Sequence, residues 1–124
     1  MNIISTSQAP AAIGPYSQAV SANGMLFVSG QIPLDAETMS IVGDNIQTQT
    51  QQVFANIKAI LSEAGCSLSD VVRCDVFVAN MADFSDLNTI YANEFGNHKP
   101  ARQTIQAILP KSALVEISCI AIIP

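Results

Sequence analysis

A few polar residues stand where the surrounding pattern is apolar or constrained, and they carry whatever chemistry this chain has. Arg102 opens a strand-like segment directly after Pro100 and Ala101. A guanidinium is a rigid fork that meets a carboxylate through two parallel hydrogen bonds. Its plainer role is a salt bridge to an acid of this or a neighbouring chain. Glu116 lies inside the most apolar segment, LVEISCIAII at 114–123. A carboxylate there needs a partner, or burial raises its pKa and makes it a proton carrier near neutral pH; otherwise it is an edge-strand residue in water. Tyr16 follows Gly14-Pro15 and either aims its hydroxyl into a pocket or packs at the surface. Ser29-Gly30 ends an apolar strand, where a glycine lets a ligand approach the backbone closely and a β-bulge accounts for it equally well. Asn88 shares a helical stripe with Phe84 and Tyr91, facing inward or flanking it.

Most other site chemistries are absent. There is no G-x-G-x-x-G, P-loop, H-E-x-x-H or G-x-S-x-G. The one histidine, His98, sits in a loop without a nucleophile partner and reads as solvated. The three cysteines, Cys66, Cys74 and Cys119, form no C-x-x-C and leave too few ligands for a structural zinc site. Cys74 and Cys119 read as small core residues. Cys66, in a Gly-Cys-Ser turn, is a candidate for exposure, with nothing basic nearby to lower its pKa.

The elements that must position these residues follow from periodicity. Residues 17–31 read as a hairpin about Asn23-Gly24, the strongest short hairpin signal. Residues 34–44 are a loop or weaker hairpin. A helix is predicted over about 45–64, with Asp44 as N-cap and Gln47 completing a capping box. Ile46, Val53, Phe54, Ile57, Ile60, Leu61 and Ala64 form its apolar stripe and Gln47, Gln49, Gln51 and Gln52 its wet side; Gly65 ends it. VVRCDVFVA at 71–79 is a strand with Val72, Cys74, Val76 and Val78 on one face. A second helix over about 81–95 is capped by Asn80, buries Phe84, Leu87, Tyr91 and Phe95, and stops at Gly96. Strands follow at 102–109 and 114–123, the latter apolar on both faces. The order β-β-α-β-α-β-β is an α+β layer, a mixed sheet with two helices on one face.

At 124 residues the chain is one domain, 1–124. It is 49% hydrophobic and 12% charged, with mean hydropathy +0.35, against about 25% charged in ordinary soluble domains. No apolar run approaches the roughly 18 residues of a membrane span. The missing polar surface, and a last strand with one face left uncovered, point to subunits that cover each other. Net charge is −5, and the only cations are Lys58, Arg73, Lys99, Arg102 and Lys111. These cannot make the basic stripe that nucleic acid requires. An odd number of free thiols fits a reducing compartment, and MNIISTSQAP has neither basic region nor apolar core of a secretory signal, so the expected location is the cytoplasm.

The polar residues acquire a joint meaning through four segments. GPYSQAV at 14–20, VSGQIPL at 28–34, HKPAR at 98–102 and LPKSALVEISCIAI at 109–122, in that order, closely resemble the Rid family of reactive-intermediate deaminases, also known as the YjgF-like or L-PSP endoribonuclease family. The likeness runs through nearly the whole chain. It implies a chorismate-mutase-like fold in a homotrimeric barrel, with sheets inward, helices outward and clefts between subunits. It implies hydrolysis of 2-imino acids and their enamines, such as 2-iminobutanoate and 2-iminopropanoate, to 2-oxo acids and ammonia, without metal or cofactor. By the same resemblance Arg102 grips the substrate carboxylate and Glu116 positions and helps activate the attacking water. Tyr16 enters the cleft from the neighbouring subunit, and Ser29, Gly30, Phe84 and Asn88 line the pocket. Two other readings attach to the family: a non-catalytic binder or regulator of small carboxylates, and an RNA-cleaving translation inhibitor.

Two departures stand out. Many relatives have Ser-Cys after the arginine, whereas this chain has Gln103-Thr104, so Thr104 takes the cysteine's place and is expected to hydrogen-bond the ligand. The stretch QTIQAILP is also one residue shorter than in many relatives. A one-residue slip turns strand side chains over, so the setting of residues 103–108 is where a change is expected.

Overall fold

At Asn23-Gly24 the backbone takes positive φ at both positions, 53° and 75°, as a type I′ hairpin turn requires. In the computed structural model, which describes residues 1–124, this turn joins β2 (Ala19–Ala22) to β3 (Met25–Gln31). A short strand that periodicity does not announce, β1 (Asn2–Ile4), pairs with β2 at the sheet edge. The remaining elements are α1 (Ile46–Glu63), β4 (Val71–Val78), α2 (Phe84–Phe95), β5 (Ala101–Gln106) and β6 (Val115–Ile122). They form a six-stranded mixed sheet in the order β1-β2-β3-β6-β4-β5. Only β4 and β5 run parallel, and α2 is the crossover between them. No helix is long and apolar enough to cross a membrane.

One face of the sheet carries both helices. Leu26, Val28, Cys74, Val76, Ile117, Cys119 and Ala121 point into it and pack against Val53, Phe54, Ile57, Ile60 and Leu61 of α1 and Leu87 of α2. The opposite face has no layer of secondary structure on it. Ile3, Val20, Phe27 and Ile120 lie in register across four strands there, with Glu116, Phe77 and Ile105 in a second row.

Several local expectations are corrected. The α1 cap is Asn45, whose side chain accepts from Thr48 N, and not Asp44. A bulge between Val71 and Arg73 puts Val71 in the core and turns Val72 out, 43% exposed. Cys66 is buried. His98 is not simply solvated: its Nε2 lies 2.6 Å from the carbonyl oxygen of Val71. In the shorter stretch after Arg102, β5 keeps one unbroken register with β4 from Ala101 to Gln106, with no bulge.

The wet side assigned to α1 is only partly wet. Gln49 is 3% exposed. Its Nε2 donates to Gly43 O at 3.0 Å and its Oε1 accepts from Leu114 N at 2.9 Å, so one amide ties the start of α1 to the entry of β6. Gln49→Ala leaves Leu114 N–H and Gly43 C=O without these partners. We expect a loss of about 2 kcal/mol, read as a lower urea midpoint with an unchanged slope.

Candidate active site

The site residues fall into two groups, and the strand register separates them. Arg102 pairs with Cys74, which pairs with Cys119; directly paired residues share a face, so Arg102 lies on the helix side. Glu116 is three positions from Cys119, an odd step, and pairs with Phe77 on the open side. Arg102 and Glu116 of one chain therefore point to opposite faces of the same sheet.

The first group is built on the β5 edge and α2. Arg102 Nη1 donates to Asn88 Oδ1 at 2.8 Å. Its Cζ lies 4.7 Å from the ring centre of Tyr91 and 5.5 Å from that of Phe84. Asn88, Phe84 and Tyr91 are one helical turn or two apart, so α2 presents all three together. The chain's salt bridges are Lys58–Glu94 and Arg73–Asp75; Arg102 has no carboxylate partner, and its remaining donors are open to a ligand. Thr104, two residues on and on the same face, has a covered hydroxyl with no hydrogen-bond partner.

The second group lines a groove of about 600 Å³ that holds Tyr16, Ser29, Gly30, Lys111 and Glu116. Ser29 Oγ donates to Ser17 O at 2.6 Å, which pins the GPYS segment against the end of β3. Tyr16 is 54% exposed at the rim. The β-bulge reading of Gly30 holds, since the ladder shifts between Val28 and Gln31, and a side-chain carbon at Gly30 would come within 2.6 Å of Glu116 Oε2. The bulge and the missing side chain together make room for the carboxylate.

Buried amides that the sequence reading did not single out hold the groove walls. Gln18 accepts from Thr6 N and donates to the carbonyls of Thr6, Ala9 and Pro10. Asn56 Nδ2 donates to Ile32 O and Leu34 O. The signal available for Asn56 and Gln49 is their spacing from Ile46, Val53 and Ile60, which places them on the inward stripe of α1.

Glu116 makes no hydrogen bond or ion pair, and burial pushes its pKa above the usual carboxylate value of 4.5. If the carboxylate form is the working base, turnover falls on acidification from a higher pH than an ordinary glutamate would set, and Glu116→Gln removes that acid limb. Stability has the opposite sign. The contribution from a raised folded-state pKa is fully present below the unfolded value and is lost as pH rises through the folded one. Thermal unfolding of Glu116→Gln at neutral pH should therefore show a higher Tm than wild type, a gain that vanishes on acidification.

Residues 6–123 match the family described as Endoribonuclease L-PSP. A RutC family protein of Synechocystis is 50% identical over 127 residues, spanning 100% of this chain and 98% of that protein. The chloroplastic Reactive Intermediate Deaminase A of Arabidopsis thaliana is 46% identical over 120 residues, spanning 96% of this chain and 64% of that protein. Among solved structures, TdcF of E. coli with bound serine superposes with a TM-score of 0.94 at 39% identity, covering 100% of both chains. The chain belongs to the Endoribonuclease L-PSP family, the group also called Rid or YjgF-like.

Proposed function

We propose that this protein hydrolyses reactive 2-imino acids and their enamines, 2-iminobutanoate and 2-iminopropanoate in particular, to the 2-oxo acid and ammonia. The working form is a homotrimer with its sites between subunits, in the cytoplasm, where its three free thiols suit a reducing milieu. One subunit supplies Arg102, Asn88, Phe84 and Thr104; its neighbour supplies Tyr16, Ser29, Gly30 and Glu116. The observation that carries the reading is the separation of Arg102 and Glu116 onto opposite sheet faces. A carboxylate grip and a water-activating acid can then act on one small substrate only across a subunit boundary. The related E. coli protein with bound serine supports a substrate of amino-acid size, and the Arabidopsis relative's name supports deamination.

In this reading the Arg102 fork fixes the substrate carboxylate and hence the plane of the C=N bond. The Glu116 carboxylate accepts a proton from water as its oxygen bonds to the iminium carbon. Glu116 returns that proton to the carbinolamine nitrogen, then takes the hydroxyl proton as the C–N bond breaks and the C=O forms, and the departing ammonia carries the last proton away as ammonium. Neither metal nor cofactor is needed, since a protonated imine is already electrophilic. RNA is a poorer candidate: net charge is −5, and Arg73 is already paired with Asp75.

The test is competition for a nascent imine. A threonine dehydratase releases its imine in the presence of semicarbazide, with and without this protein. Less semicarbazone with wild type, and no such effect with Arg102→Ala, supports the proposal. No effect from folded, assembled wild type rejects it in favour of a binder.

A further inference from the structure

Tyr91 has no part in the steps above, yet its ring is the nearest aromatic surface to Arg102, 4.7 Å from Cζ against 5.5 Å for Phe84. The ring is fixed in the core. It meets Phe54 edge-on at 5.7 Å and 74° and packs 4.8 Å from Phe95, and both of those residues belong to the buried cluster. Its hydroxyl is buried and makes no well-formed hydrogen bond, with only the weakly hydrogen-bonding Cys74 thiol as a partner beside it. A thiol is a poor partner for a buried hydroxyl, so the phenol's oxygen explains little of the residue's place and the ring explains most of it. Arg102 itself is exposed on an edge strand, where a free arginine side chain would sample many rotamers and lose that freedom on binding a ligand.

We propose that Tyr91 is a positioning residue for Arg102. Its core-anchored ring fixes the tilt of the guanidinium plane, while Asn88 Oδ1, at 2.8 Å from Nη1, fixes rotation within that plane. The fork is thereby set toward a carboxylate before the ligand arrives. The inference rests on the reading that Arg102 binds the substrate carboxylate, and it adds the residue that makes the grip rigid.

The test is calorimetric binding of 2-oxobutanoate, with KM and kcat from the trapping assay, across wild type, Tyr91→Phe, Tyr91→Leu, Arg102→Ala and the Tyr91→Leu/Arg102→Ala pair. Tyr91→Phe keeps the ring and should bind within about twofold of wild type. Tyr91→Leu should weaken binding about tenfold, mostly in KM, and should add nothing once Arg102 is alanine. Equal losses from Tyr91→Leu in both backgrounds, or none in wild type while Arg102→Ala abolishes binding, would overturn the proposal. Unchanged binding in Arg102→Ala overturns the carboxylate grip and this inference with it. A readout that needs no variant fold is the Arg102 Nε–Hε NMR signal of the wild-type protein. It should be rigid and ring-shifted without ligand; a freely averaged signal rejects the proposal.

Discussion

Arg102→Lys should lower kcat/KM about 100-fold while leaving the assembled protein intact. The charge survives the change and the geometry does not. Lysine is a point charge on a flexible stem, without the planar fork that makes two parallel contacts. It also loses the fit over Tyr91 and the hydrogen bond to Asn88 Oδ1. Losing a charge-assisted contact and the alignment it enforces amounts to about 3 kcal/mol, and each 1.4 kcal/mol is roughly tenfold. Little of that falls on the fold, because Arg102 is exposed and has no salt bridge. Turnover measured beside size-exclusion chromatography separates the two effects. Near-normal kcat/KM in a lysine variant of native size would mean that charge alone suffices, and the bidentate grip would have to be abandoned.

Much of the scaffold was legible because its signals are local. Asn23-Gly24 fixes the β2–β3 hairpin through φ signs that few other residues tolerate. The spacing from Ile46 to Leu61 fixes α1, and Asn80 and Gly96 bracket the second helical region. What escaped depends on partners distant in sequence. β1 is three residues long and exists only because β2 offers an edge. Alternation alone puts Val72 on one face with Cys74, Val76 and Val78, but the bulge against β6 shifts the phase by one and buries Val71 instead. Gln49 is polar by composition and buried by position, since Gly43 and Leu114 supply partners that make its burial affordable. His98 likewise finds a backbone carbonyl on a strand 27 residues away.

The candidate site was legible as a set of residues but not as a geometry. Arg102 and Glu116 read as one constellation, with only Tyr16 assigned to a neighbour. The register instead groups Glu116, Ser29 and Gly30 with Tyr16 in one groove and leaves Arg102 with the α2 side chains on the other face. Which face Arg102 takes relative to Glu116 depends on how three strands pair, and that register cannot be read from any one strand. The open apolar face belongs to the same argument. Ile3, Phe27, Ile105 and Ile122 remain exposed, and they lie on the side to which Glu116 belongs, so covering that face and completing the site are expected to be a single event.

Gly30→Ala provides the sharpest separation of site from fold. Gly30 does not have the positive φ that would forbid a side chain, and alanine suits a strand better than glycine does. The obstacle is local: the new carbon would lie 2.6 Å from Glu116 Oε2, 3.0 Å from Cδ and 3.2 Å from Cγ. All three atoms belong to one flexible side chain beside an open groove. The carboxylate can swing away, so Tm should stay within a few degrees of wild type. Catalysis is far less tolerant, because a displacement of about 1 Å from the reacting position can cost roughly 10²-fold. Turnover should therefore drop about 100-fold. The acid limb of the pH profile should also move down, since a carboxylate pushed into water loses the burial that raised its pKa. In a Glu116→Gln background the same alanine should cost almost nothing further, as there is no longer a placed carboxylate to move. Additive losses would instead mean that Gly30 serves the site through its backbone, with Ser29 and the bulge, and independently of Glu116.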